Sequence, residues 1–79
     1  MSVIENEKKY LEIILKHEAN GVEFLTSHGV VIEETVKIGK GTQILPGTIL
    51  KGNTVIGENC VIGPNSMLTD CTVGDGVVF

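Results

Sequence analysis

The residues of this chain that could do chemistry are few, and their spacing gives little support to a reaction centre. Two histidines, His17 and His28, and two cysteines, Cys60 and Cys71, show none of the CxxC or HxxxH spacings of metal sites. His17 is predicted in the last turn of a helix, where a cation interacts favourably with the helix dipole. Cys60 is interpreted as a buried apolar thiol, and Cys71 is predicted at a turn. We therefore predict no catalytic, cofactor-binding or metal-binding residue.

The segment Gly39-Lys40-Gly41-Thr42 has the composition of a phosphate-binding loop but not its pattern. A P-loop needs GxxxxGK followed by Ser or Thr, between a strand and a helix, whereas Gly41 follows the lysine here. The nearby charged residues have no spacing that fixes an acid–base pair, and a solvated face is preferred over a weak anion-attracting side. They are Glu33, Glu34, Glu58, Lys37, Lys40 and Lys51.

Composition narrows the function classes further. The net charge is −4, and all six cations are lysines. A nucleic-acid surface would show a basic stripe or an aromatic platform, and the sequence has neither. No apolar run approaches the ~20 residues that span a bilayer, and the N-terminus lacks the basic and apolar regions of a signal peptide. With two cysteines and no leader, we expect a reduced, soluble, cytoplasmic protein.

Residues 1–21 are predicted to form an N-terminal amphipathic helix that serves as a linker or cap. Ser2 followed by Glu5 fits a capping box, and Gly21 can take the left-handed conformation that ends a helix. The predicted apolar face comprises Ile4, Tyr10, Leu11, Ile13, Ile14 and Leu15. Two interpretations stay open. The helix packs on its own domain, or it is an arm that joins the domain to something else or covers the open end of a β-stack.

From Ile32 onward, large aliphatic residues recur every six positions without exception. They are Ile32, Ile38, Ile44, Leu50, Ile56, Ile62 and Leu68. Four residues after each comes a small or β-branched residue, and this second column comprises Val36, Thr42, Thr48, Thr54, Cys60, Ser66 and Thr72. Neither the helical nor the strand period gives such a pattern, whereas a six-residue repeat is typical of a β-helix.

Three such hexads make one coil of about 18 residues, with three strands and three corners around a triangular prism. The first and fifth residues of each hexad point inward. The fourth residues are Gly or Asn at most corners, because these types tolerate positive φ: Gly41, Gly47, Asn53, Asn59 and Asn65. Stacked coils predict three inward columns: Ile32 below Leu50 and Leu68, Ile44 below Ile62, and Val36 below Thr54 and Thr72.

The repeat is irregular at both ends. Extended backwards, it puts Thr26 and Val30 at the first and fifth positions, where Thr26 fits poorly. The hexad after Leu68 is one residue short, and we predict the deletion at the corner Asp70-Cys71. The pattern then resumes, with Val73, Gly74, Gly76 and Val77 at its first, second, fourth and fifth positions and Phe79 above Ile62.

Residues Glu34 to Phe79 closely resemble the bacterial bifunctional N-acetylglucosamine-phosphate uridyltransferase and glucosamine-phosphate acetyltransferase, a hexapeptide-repeat family. The runs similar to the opening coils of its acetyltransferase domain are Pro46-Gly47-Thr48, Gly52-Asn53-Thr54-Val55-Ile56-Gly57 and Ile62-Gly63-Pro64-Asn65-Ser66. The preceding helix with Asn20-Gly21-Val22 looks like the linker of that family. The chain departs from the pattern at Thr26-Ser27, where relatives commonly have Asp-Pro.

The resemblance implies a mainly β fold, a left-handed parallel β-helix of about three coils over residues 22–79, preceded by one α-helix. Left-handed winding is an exception to the right-handed crossover rule. Three coils are close to the minimum for a repeat array, and the last coil would leave unpaired strand edges. We therefore expect a truncated domain or an end covered by another copy.

For activity, the resemblance mostly implies an absence. The family's nucleotide- and metal-binding domain lies before the linker helix, and its acetyltransferase residues lie in later coils. The acetyl-CoA and Mg sites of relatives are therefore expected to be missing here. The preferred hypothesis is a structural, self-associating fragment of a UDP-N-acetylglucosamine biosynthetic transferase, a homotrimer by the first expectation, with no turnover alone.

Two alternatives stay open beside this hypothesis. The first is a small acyltransferase that uses acyl-CoA at a subunit interface, with His28 as the general base. The second is a binding module that docks on a partner enzyme through the N-terminal helix.

Overall fold

The computed structural model describes residues 2–79. Met1, the first residue of the predicted segment 1–21, lies outside them. Within the described residues, one helix, α1 (Val3–Ala19), is followed by nine short strands. The strands are β1 (Glu23–Phe24), β2 (Val31–Ile32), β3 (Lys37–Ile38), β4 (Gln43–Ile44), β5 (Ile49–Lys51), β6 (Val55–Ile56), β7 (Val61–Ile62), β8 (Met67–Thr69) and β9 (Thr72–Val73).

Helix α1 begins and ends within two residues of the predicted segment 1–21. The N–H of Glu5 donates to Oγ of the N-cap residue Ser2 at 3.2 Å. At the other end Gly21 has a φ of +91°, a conformation that glycine adopts without steric cost. The N–H of Val22 donates back to the carbonyl of His17 at 3.0 Å. The chain therefore turns directly from the helix into the first strand.

The strands form three parallel three-stranded sheets, and each coil adds one strand to each sheet. We call them face A (β1, β4, β7), face B (β2, β5, β8) and face C (β3, β6, β9). In face B, Ile32 pairs with Leu50 and Leu50 with Leu68, and in face A Ile44 pairs with Ile62. These partners are eighteen residues apart. The predicted parallel β-helix of about three coils is therefore confirmed.

The predicted aliphatic column fills the interior of the prism. Ile32, Ile44, Leu50 and Ile62 have no exposed surface, and Ile56 is 2 % exposed. Full burial of such a side chain contributes about 1.5–3 kcal/mol relative to exposure. The axis of the prism is therefore a packed core.

The second inward column changes its chemistry from coil to coil. In the lower coil, which contains β1 to β3, this column consists of Val22, Val30 and Val36. In the middle coil it consists of Thr42, Thr48 and Thr54, and in the upper coil of Cys60, Ser66 and Cys71. The three threonines are fully buried, and each hydroxyl donates to a backbone carbonyl at 2.7 Å. Pairing of this kind is what burial of a hydroxyl requires.

The corners follow the prediction with one exception. Gly41, Gly47, Asn59 and Asn65 have φ between +54° and +77°. The prediction for Asn53 is wrong, because its neighbour Gly52 takes the left-handed conformation (φ +65°) and Asp70 repeats it one coil above (φ +49°). The carboxylate of Asp70 accepts a hydrogen bond from the N–H of Asn53 at 2.8 Å. This corner therefore turns one residue earlier than the others.

The backward extension of the repeat to Thr26 is wrong. Phe24 pairs with Ile44 instead, so these partners are twenty residues apart. The two additional residues lie in the turn between β1 and β2, which is exposed from Leu25 to Gly29. The regular spacing returns at Val30, which is buried as predicted for a fifth position.

The predicted place of Thr72 above Thr54 is also wrong. Thr72 pairs with Val55, seventeen residues earlier, so Cys71 lies above Thr54 instead. The N–H of Val55 accordingly donates to the carbonyl of Cys71 at 2.9 Å. The missing residue is absorbed at the corner before Cys71. Further on, Val61 bridges Val78, and this register puts the following residue, Phe79, above Ile62 as predicted.

Helix α1 buries only part of the predicted apolar face. The residues that face the prism are Tyr10, Ile13, Ile14 and His17, of which Tyr10 is half-buried and the others are buried. Their three- and four-residue spacing places them on one side of the helix. Three predicted face residues are instead exposed: Ile4, Leu11 and Leu15. These form a second apolar stripe beside the buried one.

Candidate functional site

Helix α1 lies across the lower end of the prism, and we call the contact region the seam. Ile14 lines a groove together with Val30 and Val31. Ile13 and His17 line a cavity of about 380 Å³ together with Val36. Val30 and Val36 are 5 % and 3 % exposed although they belong to the lowest coil. The helix therefore covers the apolar end of the prism.

One ion pair crosses the seam. Nζ of Lys9 lies 3.6 Å from Oε1 of Glu34, and both side chains are largely exposed. Ion pairs in this setting contribute little to stability because water and salt screen them. The seam is therefore held mainly by apolar packing.

His17 has a different role from the predicted one. Its side chain is 7 % exposed. Burial, and to a smaller extent the charge of the neighbouring Lys16, lowers the pKa of His17 below its ordinary value of 6.5. A histidine with a lowered pKa is neutral at neutral pH. His17 therefore lies in the last turn of α1 as predicted, but its burial disfavours the cationic form that would interact with the helix dipole.

His28 lies in the exposed turn between β1 and β2, and its backbone holds the turn in place. Its N–H donates to Oγ1 of Thr26 at 3.2 Å, and its carbonyl accepts from the N–H of Gly47 at 3.1 Å. No ion pair orients its imidazole within residues 2–79. The structure thus shows a structural use of the backbone of His28 and no group that would make the side chain a base.

Both cysteines are free thiols, and both belong to the interior. Cys60 is 1 % exposed, and its thiol donates to the carbonyl of Gly74 at 3.0 Å. Its N–H donates to Oγ1 of Thr42 at 3.1 Å. The predicted buried thiol is confirmed for Cys60. Cys71, predicted at a turn, is half-buried and packs against the core.

The segment Gly39 to Thr42 serves the stacking of coils. A Cβ atom on Gly39 would lie 2.7 Å from the backbone of Gly57 in the coil above, so only glycine fits there. The hydroxyl of Thr42 donates to the carbonyl of Gly57 at 2.7 Å inside the prism. Neither residue presents a group to a phosphate.

The charged residues that the sequence singled out are dispersed. Oε1 of Glu33 accepts from the N–H of Gly52 at 2.7 Å, while Glu34 faces α1. Lys37 and Lys51 are exposed on faces C and B respectively. The structure therefore does not bring these groups together at one site.

The three faces of the prism differ in the residues that point outward. Because side chains alternate along a strand, the neighbours of the inward residues form an outer column on each face. The columns are Glu23, Gln43 and Val61 on face A, Val31, Ile49 and Met67 on face B, and Lys37, Val55 and Thr72 on face C. Within the described strands, face B alone has a wholly apolar column at the position before the inward residues, and a second outward column on this face is polar, with Lys51 paired to Thr69. Met67 is 64 % exposed.

The apolar column of face B continues onto α1. Val31 lines the same groove as Leu11 of the helix, which is 47 % exposed. Leu15, one turn further along α1, is 62 % exposed. We call the combined surface the apolar wall: Val31, Ile49, Met67, Leu11 and Leu15. Val31 and Ile49 are half-buried, and the other three side chains are exposed. An apolar surface of this kind typically marks an interaction site.

Our sequence reasoning missed the apolar wall. The sequence pattern that indicates it is an apolar residue at the sixth position of every third hexad. These residues are Val31, Ile49 and Met67. The inward columns alone do not distinguish the three faces, because all three bury the same residue types.

Two further findings concern residues 2–79. Helix α1 is neither long nor apolar enough for a membrane crossing. No three His, Cys, Asp or Glu side chains in this part of the chain come together as they would have to in order to hold a metal ion.

The fold and the repeat together define a class of protein, the parallel β-helices built from hexapeptides. The model of the bacterial transferase hexapeptide family (six repeats) matches residues 35–70 and 53–79, which together make up more than half of the chain. The chain belongs to this family. A comparison with curated protein sequences finds no match.

Proposed function

We propose that this chain is a structural, self-associating β-helix domain of a cytoplasmic transferase of UDP-N-acetylglucosamine biosynthesis, without catalytic residues of its own. The apolar wall on face B is the single observation that carries the self-association. The packed axis of the prism supports the structural role only in so far as its aliphatic side chains leave no space for a reaction centre inside the prism.

The first candidate for the assembly is a homotrimer, since members of this family commonly form trimers. In a closed ring each copy uses two different surfaces, one to give and one to receive the contact. Face B would be one of them, because burying Ile49 and Met67 removes apolar surface from water. The second surface would be face A of the neighbouring copy, which leaves face C outside the contacts.

The test compares two substitutions at equivalent places in the middle coil. Ile49 and Val55 are the outward residues of β5 on face B and β6 on face C. Wild type and Val55→Lys should have three times the 8.4 kDa mass of one chain in light scattering. Ile49→Lys should have the mass of a single chain, with an unchanged circular dichroism spectrum. A monomeric wild type, or dissociation by both substitutions, would refute this assembly.

Activity is tested separately from assembly. The purified chain should yield no product from acetyl-CoA and glucosamine 1-phosphate, nor from UTP and the acetylated sugar phosphate. Robust turnover would overturn the structural role. Turnover abolished by His28→Ala would then establish the acyltransferase alternative, and turnover that survives this change would exclude it.

The exposed stripe of α1 favours one further candidate, a module that docks on a partner enzyme through its helix. Leu15→Lys distinguishes the two. If this variant keeps the wild-type mass, the stripe stays free in the assembly and is accessible to a partner. If the variant dissociates as Ile49→Lys does, the stripe belongs to the self-association surface and the docking candidate is excluded.

A further inference from the structure

His17 occupies an unusual position among the residues that hold α1 on the prism. Its side chain is packed into the seam beside Ile13 and Val36. Its carbonyl accepts from the N–H groups of Asn20 and Val22, both at 3.0 Å, where the helix joins the first strand. A titratable side chain is therefore buried where the covering helix joins the first strand.

None of the charged groups around His17 forms an ion pair with its imidazole in the described residues. The groups that line the two cavities beside it are Lys9, Glu12 and Lys16 from α1 and Glu34 and Lys37 from the prism, together with the polar residues Asn20, Thr35 and Asn53. Glu34 is already paired with Lys9. Across residues 2–79, no carboxylate lies within ion-pair distance of the imidazole.

We propose that α1 is an acid-sensitive cover: protonation of His17 weakens the docking of the helix on the lower coil and exposes the layer of valines beneath it. The charged imidazole would be desolvated in the seam and adjacent to lysines, whereas it would be hydrated once the helix has moved away. The proton therefore binds the undocked state more tightly.

The sign of the effect follows from the lowered pKa. Docking stability is complete above the pKa of the undocked imidazole, near 6.5, and falls as the pH drops through that value. It stops falling below the pKa of the docked state. For each unit by which the pKa of the docked state lies below that of the undocked state, the protonated form docks about tenfold more weakly than the neutral form.

The chain contains its own probe of docking. Tyr10 is the single tyrosine, and tryptophan is absent from the sequence. Tyr10 is half-buried in the seam and packs against the core. Quenching of tyrosine fluorescence by acrylamide therefore reports whether α1 is docked.

The experiment measures this quenching from about pH 8 to about pH 5, the range in which histidine titrates. Wild type should show quenching that increases as the pH falls, with its midpoint below that of an exposed histidine. His17→Met removes the titrating group while keeping a side chain of similar length, and it should show flat, low quenching. His28→Gln is the matched control and should behave as wild type.

Constant quenching in wild type would refute the proposal, as would a pH response that His17→Met retains. If His17→Met does not fold, NMR titration of wild type decides instead. The imidazole of His17 should titrate below pH 6.5, together with the Tyr10 ring signals. Titration of His17 without any change at Tyr10 would overturn the proposal.

Discussion

The two ends of the prism carry the same repeat but have different surroundings. At the lower end, Val30 and Val36 are 5 % and 3 % exposed because α1 packs over them. At the upper end, Val73 and Val77 are half-buried and Phe79 is 54 % exposed. Among residues 2–79 no helix or strand lies over this upper coil. The comparison shows how much of the burial at the lower end is due to the helix.

The difference also explains the composition of the inward columns. Each coil of a repeat protein is stabilised by its neighbours, so an end coil needs another partner. Val36 lies next to the helix and carries no polar group that would have to be paired. One coil higher, Thr54 lies between two coils and donates its hydroxyl to the carbonyl of Lys51. In this column, the residue next to the helix is therefore apolar, whereas the residue between two coils carries a hydroxyl group that is hydrogen-bonded.

The largest expected effect comes from truncating one column at its two ends. Ile32 and Leu68 lie below and above Leu50 in the same column and are 0 % and 7 % exposed. Ile32→Ala leaves an enclosed cavity between the helix and the middle coil and should cost about 3–5 kcal/mol. Leu68→Ala opens to the upper surface, where neighbours can relax and water can enter, and should cost about 2–3 kcal/mol.

Urea unfolding followed by circular dichroism measures both free energies of unfolding. Leu50→Ala, in the middle of the same column, serves as the reference and should cost at least as much as Ile32→Ala. If Leu68→Ala proved as costly as Ile32→Ala, the upper end would be as well covered in solution as the lower one. The contrast between the ends would then be wrong.

A smaller effect is expected from a methyl group added to the glycine stack. A Cβ atom on Gly39 would lie 2.7 Å from the backbone of Gly57, which cannot move aside, whereas one on Gly74 would meet nothing within 4 Å. Gly39→Ala should therefore destabilise the protein by about 1–3 kcal/mol. Gly74→Ala should change stability by no more than about 0.5 kcal/mol. Thermal unfolding of the two variants checks this, and equal losses would contradict the stacking.

The sequence alone predicts the prism well because the pattern that specifies it recurs every six residues. Each hexad supplies an inward aliphatic residue, so the pairing of Ile32 with Leu50 and of Ile44 with Ile62 followed from spacing. The prediction failed where the coil changes length, at Thr26 and Thr72. Spacing fixes a register only while the period holds, and the place of an added or missing residue depends on corner geometry.

The candidate site was much less predictable. The helix has apolar residues on more than half of its circumference, so periodicity could not decide between Ile13 and Leu15 as the buried side. The side of the helix that is buried is determined by the shape of the lower coil. His17 was recognised as a residue of interest, but its burial depends on the same docking. The apolar column of face B, by contrast, follows from the apolar residues at the sixth position of every third hexad.

The smallest effect tests whether layer polarity is specific, through a reciprocal exchange within one column. Thr54→Val keeps the shape of the side chain but removes the hydrogen bond of 2.7 Å to the carbonyl of Lys51, and it should cost about 0.5–1.5 kcal/mol. Val36→Thr places a hydroxyl in the seam beside Ile13 and should cost a similar amount, because valine and threonine are not equivalent in a core. Tyr10 quenching separates the two causes: Val36→Thr should expose the tyrosine before global unfolding, whereas Thr54→Val should not. If Tyr10 became exposed before global unfolding in both variants, docking of the helix would depend on the whole column. The lower layer would then not be a distinct interface.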